Sequence, residues 1–174
     1  MRIFLLRHGE AEPADSAERD EERALTDKGA KRLRKAGRGF RRLDIFPDRI
    51  LSSPLKRALQ TAEIVADELG FTGQIEAVEE LAPSAEPEDL ISVLRDMSDV
   101  NQILLVGHQP FLGELAAALI GAPGGRIALK KGGLARVDVE DWNADPPGRL
   151  RYLLTGKQLI WLRRKKKAKD EGED

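Results

Sequence analysis

The sequence contains no cysteine among its 174 residues, only two histidines and a single tyrosine. The absence of cysteine excludes disulfide bonds, thiolate-bound metal ions and a thiol nucleophile. Lysine and arginine (29) nearly balance aspartate and glutamate (30), so no excess charge points to nucleic acid or to a membrane surface. No apolar run is long enough to span a bilayer, and the N-terminus lacks a signal-peptide pattern. We therefore expect a soluble, cytoplasmic protein.

A chain of this length with 41% hydrophobic residues can bury one substantial core. We predict a single domain over residues 1–162 and a charged, disordered tail over residues 163–174. The tail contains the basic run "RRKKKAKD". Nucleic-acid binding by this run is disfavoured relative to a solvated helix end, because basic residues stabilise the last turn of a helix.

Short apolar runs alternate along the chain with segments whose apolar residues recur at spacings of three and four, the pattern of strands alternating with amphipathic helices. Thr26 is a candidate N-cap, and Gly70 is a candidate helix stop. The predicted strands are residues 2–6, "DRILSSP", residues 75–78 and "QILLVG", followed by "RIALKKGGLARVDVE" and "RLRYLLTG", which are typical of strands with glycine turns. The predicted helices are "LTDKGAKRLRKAGRGFRRL", "LKRALQTAEIVADELG", "PEDLISVLRDM", "PFLGELAAALIG" and "GKQLIWLRRKKK". This order predicts a three-layer α/β/α sandwich around a mostly parallel sheet.

Both histidines follow predicted strands and stand next to a glycine. His8 lies in "LLRHGEA", and His108 lies in "LLVGHQP". Ligands of open α/β sheets bind beyond the carboxyl ends of the strands, so two central parallel strands would place both imidazoles at one edge. Arg7 precedes His8, and Arg57 lies in the first turns of the helix after "ILSSP". We predict one pocket formed by these four residues.

The chemistry of these side chains suits a phosphoryl group. Arg7 and Arg57 can each donate two hydrogen bonds to phosphate oxygens, and the start of a helix favours an anion. A neutral imidazole is a competent nucleophile near pH 7. We assign the attack to His8, because a main-chain carbonyl near Gly9 could accept a hydrogen bond from Nδ1 and leave Nε2 facing phosphorus. His108 would donate to the phosphoryl oxygens, without a metal ion or cofactor.

Simpler interpretations of the same residues stay open. A histidine at a strand end is more often a structural hydrogen-bonding group than a catalyst. The two imidazoles could also bind a metal ion together with Glu10 and Glu12, although the neighbouring arginines would repel a cation. What favours the shared pocket is that every histidine of the chain occurs in the same structural context.

The segments "LLRHGEA", "SSPLKRALQTAE" and "LLVGHQP", in this order and at this spacing, resemble the histidine phosphatase superfamily, also called phosphoglycerate-mutase-like. The likeness extends from residue 2 to about residue 162, and within the superfamily it is greatest to SixA-type phosphohistidine phosphatases. The resemblance implies a single catalytic domain with the phosphoglycerate-mutase-like fold. It also implies a phosphohistidine intermediate on His8, with Arg7, Arg57 and His108 holding the phosphoryl group.

One stretch departs from the family pattern. Larger relatives that act on phosphate esters carry a glutamate acid after the middle strand, two residues beyond a leucine. The corresponding stretch here is "EELAPSAEP", which places Pro83 at that position. The absence of the acid suits a phosphoramidate substrate, because imidazole leaves more readily than an alkoxide. Glu79, Glu80 and Glu86 remain alternative acids.

The resemblance therefore implies a metal-independent phosphatase whose partner is a phosphorylated protein with a histidine-containing phosphotransfer domain. The alternative within the superfamily is a phosphomonoesterase that acts on small phosphate esters. The alternative from another class is a phosphate- or phosphoprotein-binding module without turnover. The loop over residues 10–23 carries seven acids and borders the predicted pocket. It would repel free anions and favour a protein-borne substrate, although a plain solvated loop fits equally well.

Overall fold

The computed structural model describes residues 1–97, 99–125 and 127–162. The strands are β1 (Arg2–Arg7), β2 (Arg49–Ser52), β3 (Ile75–Ala77), β4 (Gln102–Gly107), β5 (Leu134–Val139) and β6 (Gly148–Leu154). The helices are α1 (Asp27–Arg42), α2 (Lys56–Leu69), α3 (Pro87–Arg95), α4 (Phe111–Leu119) and α5 (Gly156–Leu162). Short 3₁₀ turns occur at Ala14–Ser16, Asp20–Glu22 and Glu79–Leu81.

The strands form one six-stranded sheet with the order β3-β2-β4-β1-β5-β6. The neighbours β3, β2, β4 and β1 run parallel to one another, whereas β5 pairs antiparallel with both β1 and β6. The predicted mostly parallel sheet is therefore confirmed. Strand β4 lies between β1 and β2 and is buried from Ile103 to Gly107, which explains why its sequence is a continuous apolar run.

The side chains of β1 alternate between the two faces of the sheet, as the pleat of a strand requires. Ile3 and Leu5 belong to the core that also contains residues of α3 and α4. Phe4 and Leu6 belong to the second core, which contains residues of α1, α2 and α5. Helices thus cover both faces, and the predicted three-layer α/β/α sandwich is confirmed.

The predicted helix signals act as expected at two positions. The Oγ1 atom of Thr26 accepts a hydrogen bond from the backbone N–H of Gly29 at 2.9 Å, which caps α1. Helix α2 ends at Gly70, whose φ of 71° is the left-handed conformation that glycine adopts most easily. Both boundaries therefore have a local chemical cause.

The predicted strand in "RIALKKGGLARVDVE" is wrong in its first half, because β5 begins only at Leu134. The N–H of Gly132 donates to the carbonyls of Arg7 and His8 at 3.1 and 3.0 Å, and its φ is 66°. The segment before β5 therefore turns around the end of β1 instead of extending the sheet.

The structure does not test the predicted C-terminal tail, and it gives one finding on membrane-spanning helices. The predicted disordered tail over residues 163–174 lies outside the described residues. Among the residues that the structure describes, no helix has both the length and the apolar character needed to cross a membrane.

Candidate active site

The two histidines lie side by side because their strands are adjacent, parallel and in register. Arg7 of β1 is opposite Gly107 of β4, so His8 and His108 are the next residues along the two strands. The backbone N–H of His8 continues the ladder by donating to the carbonyl of Gly107 at 3.0 Å. The ring centroids are 5.1 Å apart, and the ring planes are inclined at 52°.

The two predicted arginines lie at the same edge of the sheet. Strand β2 is the other neighbour of β4 in the sheet. Helix α2 begins shortly after β2, and Arg57 lies in the first turn of that helix. His8, Arg57 and His108 are buried, with only 5%, 4% and 3% of each whole residue exposed. Arg7 ends β1 directly before His8, and burial together with the charges of Arg57 and Arg7 lowers the pKa of both histidines. The structure thus brings the predicted quartet together.

His8 is held in the orientation that the sequence predicts. Its Nδ1 atom lies 2.8 Å from the carbonyl oxygen of Gly9. Because a carbonyl can only accept, Nδ1 carries the proton and Nε2 of the neutral ring keeps its lone pair. Burial, opposed by the Gly9 carbonyl and reinforced by Arg57 and Arg7, lowers the pKa of His8 to about 4. The imidazole is therefore neutral at pH 7.

His108 has a buried partner that the sequence analysis missed. Its Nε2 atom forms a hydrogen bond of 2.8 Å with the hydroxyl of Ser53, directly after β2. The Ser53 hydroxyl also accepts from the N–H of Leu55 at 3.3 Å. Burial and the nearby His8 and Arg57 lower the pKa of His108 to about 3, so this ring too is neutral at pH 7.

A second missed residue, Thr61, joins the two halves of the site. Its hydroxyl accepts from the N–H of Gly9 at 3.1 Å and donates to the carbonyl of Arg57 at 2.7 Å. This bridge fixes α2 against the turn that carries His8. Threonine bonding back to a carbonyl four residues earlier is common in helices, so the sequence offers no specific signal for this role.

Arg7 is positioned by the segment that precedes β5. Its Nη1 atom donates to the carbonyl of Leu129 at 2.8 Å. Gln109 holds that segment, because its amide donates to Ile127 at 2.9 Å and accepts from the N–H of Leu129 at 3.3 Å. Among the described residues, the buried Nε atoms of Arg7 and Arg57 have no hydrogen-bond partner.

Arg57 makes a second set of contacts, with the acidic loop. Its Nη1 and Nη2 atoms donate to the carbonyl and the carboxylate of Asp20 at 2.7 and 2.9 Å. The other carboxylate oxygen of Asp20 lies 3.1 Å from Nε of Arg23. Partial burial acts to raise the pKa of Asp20, but Arg57 and Arg23 together hold it below its usual value.

The structure gives ion-pair partners outside the quartet for one of the carboxylates considered above. Glu10 forms ion pairs of 2.8 and 3.4 Å with Arg32 and Lys28 of α1. Within the described residues, no hydrogen bond or ion pair joins Glu79, Glu80 or Glu86 to the quartet. In the same residues, no group of three or more histidine, aspartate or glutamate side chains could hold a metal ion.

The protein is thus an α/β/α sandwich with a mostly parallel sheet, and two imidazoles and two guanidinium groups lie at one edge of that sheet. Residues 3–83 match the model of the histidine phosphatase superfamily (branch 1). The chain is 32% identical over 121 residues to phosphohistidine phosphatase SixA of Escherichia coli (strain K12), covering 68% of this chain and 74% of that protein. An uncharacterized protein of Picosynechococcus is 40% identical over 139 residues, covering 77% and 82% of the two chains.

A solved structure of the protein histidine phosphatase SixA complexed with tungstate superposes with a TM-score of 0.82 at 27% identity, covering 91% of this chain and 99% of that one. The chain belongs to the histidine phosphatase superfamily, and within it the chain is SixA-like. Enzymes of this superfamily are metal-independent phosphatases, and this protein is one of them.

Proposed function

We propose that the protein is a phosphohistidine phosphatase that removes phosphate from a histidine of a partner protein through a covalent intermediate on His8. The observation that carries the proposal is the hydrogen bond between Nδ1 of His8 and the carbonyl of Gly9. It leaves the nucleophilic Nε2 atom of a neutral imidazole beside two arginines and a second histidine.

In the first step, Nε2 of His8 attacks phosphorus, and the P–N bond to the substrate imidazole breaks. The electron pair of that bond goes to the leaving nitrogen, which takes its proton from solvent. Arg7, Arg57 and His108 stabilise the charge on the equatorial oxygens. In the second step, water attacks phosphorus and gives a proton to solvent, the bond to Nε2 breaks with its electron pair returning to nitrogen, and phosphate is released.

A phosphoramidate substrate agrees with the surroundings of the site. Pro83 is exposed, and within the described residues Glu79, Glu80 and Glu86 form no hydrogen bond or ion pair with the quartet. A leaving imidazole needs less help from an acid than an alkoxide does. The names of two relatives support the same substrate: SixA of Escherichia coli, at 32% identity, and the SixA homolog of Haemophilus influenzae, at 36%, are phosphohistidine phosphatases.

We propose a histidine-containing phosphotransfer domain as the partner, and residues 1–162 as one catalytic domain. The single sheet supports the second point, because both hydrophobic cores pack against its two faces. A cytoplasmic location stays a prediction.

Incubation with a transfer domain carrying ³²P on its histidine tests the function. We expect release of phosphate and a transient, acid-labile label on the enzyme. His8→Ala should lower the release more than about a thousandfold, because the nucleophile is lost. An active His8→Ala variant would contradict the covalent mechanism.

The same preparation separates the alternatives. Faster turnover of sugar phosphates or nucleotides than of the phosphorylated domain would favour a phosphomonoesterase. Binding of the phosphorylated domain without any release of phosphate would favour a non-catalytic module.

A further inference from the structure

We propose that Asp20 determines the specificity of the phosphoryl site, because its carboxylate competes with the substrate's phosphoryl group for Arg57. The proposal rests on the proposed function only in taking Arg57 as a phosphate ligand. Asp20 belongs to the 3₁₀ turn Asp20–Glu22 in the acidic loop over residues 10–23.

An anionic side chain already binds the guanidinium group of Arg57. Both terminal nitrogens of Arg57 donate to one residue, Nη1 to the carbonyl of Asp20 at 2.7 Å and Nη2 to its carboxylate at 2.9 Å. Two parallel N–H donors on two oxygens are the contact that arginine makes with a phosphate group. A phosphoryl group that uses both donors must displace the carboxylate from Nη2 and the carbonyl from Nη1.

The carboxylate of Asp20 also acts on a second residue of the site. Its negative charge acts on His108 and opposes the other groups that lower the pKa of that ring. The carboxylate, held 2.9 Å from Nη2 of Arg57, thus lies where a phosphoryl group would bind that arginine.

The two partners of the ion pair differ in how far they are exposed to solvent. The Arg57 side chain is 5% exposed, whereas the Asp20 side chain is 59% exposed. Arg57 is fixed by α2 and by burial, while the turn that carries Asp20 has no buried residue. Exchange of Asp20 for a ligand thus breaks contacts mainly on the solvent side and leaves the arginine in place.

The consequence is selection among anions. A phosphoryl dianion carries more charge and more acceptor oxygens than a carboxylate, so it can displace Asp20, while a monoanion gains little from the exchange. Asp20 would thus lower the affinity of the site for all anions and exclude the weaker ones.

Calorimetric titration with inorganic phosphate tests this proposal on the full chain. We expect Asp20→Ala to bind phosphate about 3- to 10-fold more tightly than the wild type, because a partly exposed ion pair no longer competes. Asp20→Asn keeps the shape and loses the charge, so it should bind with intermediate affinity. Circular dichroism checks that each variant is folded.

Glu21→Gln is the matched control. Glu21 is the next residue, carries the same charge and lies 3.8 Å from Arg19 instead of contacting Arg57. Its substitution should leave the affinity for phosphate within about 1.5-fold of the wild type, because an exposed charge without a direct contact is screened by salt.

Unchanged or weaker binding by Asp20→Ala would overturn the proposal, because Asp20 would then only position Arg57. Equal tightening by Glu21→Gln would also overturn it, since the effect would come from the charge of the whole loop. Calorimetry requires no turnover, so these outcomes are independent of the His8 assay. Absence of phosphate binding in every variant would overturn both this proposal and the phosphoryl site.

Discussion

The tautomer of His8 decides which of its nitrogens can act as a nucleophile. The Gly9 carbonyl keeps the proton on Nδ1, and burial keeps the ring neutral well below pH 7. A buried imidazole surrounded by arginines therefore has a permanently available lone pair on Nε2. His108 is equally neutral, but its Nε2 atom is already engaged with Ser53. The two rings are chemically similar and differ in the hydrogen bond each one makes.

Substitution of Ser53 tests whether this difference matters. Ser53→Ala removes the hydroxyl from Nε2 of His108, and we expect kcat/KM for the phosphorylated domain to fall about 3- to 30-fold, as for the loss of one or two buried hydrogen bonds. Ser52→Ala is the matched control, because the equally buried Ser52 hydroxyl donates to the carbonyl of Ser53 and not to a histidine. Equal losses of kcat/KM in both variants would show that His108 does not depend on Ser53.

The sequence predicts the histidines better than their neighbours for a physical reason. His8 and His108 are the only histidines and both follow central strands, so strand pairing alone brings them together. Ser53 and Thr61 are small hydroxyl residues whose partners lie 55 and 52 positions away. Asp20 is one of seven acids in an aperiodic loop, and nothing local distinguishes it from the others.

Helix α1 packs unusually closely against the turn that follows His8. A Cβ atom on Gly29 would lie 2.2 Å from the backbone carbonyl oxygen of Glu10. The same carbonyl accepts from the N–H of Thr26 at 2.9 Å, so the cap of the helix and the turn share one oxygen. The position of α1 is therefore coupled to that of the nucleophile, only two residues before Glu10.

Gly29→Ala tests this coupling. In an exposed helix the change would stabilise by about 1 kcal/mol, but here the methyl group must displace backbone, and we expect a net loss of about 1–3 kcal/mol of unfolding free energy. The value of kcat/KM should also fall, because the turn carrying His8 moves. Denaturant unfolding and steady-state kinetics measure the two effects. Lys31→Ala, an exposed change in the same helix, should alter neither, and a stabilised, fully active Gly29→Ala variant would contradict the coupling.

The alternation of apolar segments predicts the helices and the central strands because their apolar stripes face the sheet. It fails before β5, where the hydrogen bonds of Gly132 go to Arg7 and His8. Those partners lie more than a hundred residues away in the chain, and local periodicity carries no information about them. The wrong strand prediction therefore concerns a segment that positions a site residue, because the carbonyl of Leu129 accepts a hydrogen bond from Arg7 there.

The folded protein keeps both imidazoles uncharged, and this affects the unfolding free energy of the whole molecule. Each histidine gives up its hydration on folding, and Arg57 and Arg7 add to the lowering of both pKa values, opposed at His108 by the charge of Asp20. In the unfolded chain the same residues titrate near pH 6.5. The difference between the two states links the stability of the molecule to pH.

The direction of this link follows from the number of protons bound by each state. Between pH 6.5 and about 4, the unfolded chain takes up protons at His8 and His108 while the folded protein does not, because their folded pKa values are about 4 and 3. The unfolding free energy should therefore decrease as the pH falls from 7 to 5, by on the order of 1 kcal/mol per pH unit for each histidine below pH 6.5. Urea unfolding at pH 7, 6 and 5 measures the slope. The interval from pH 7 to pH 5 lies above the pH range in which Asp20 and Asp138 lose their ion pairs, because the pKa values of both carboxyl groups are lowered. His8→Asn should remove about half of the slope, whereas a wild-type profile that is flat over this window would show that the folded imidazoles are not held neutral.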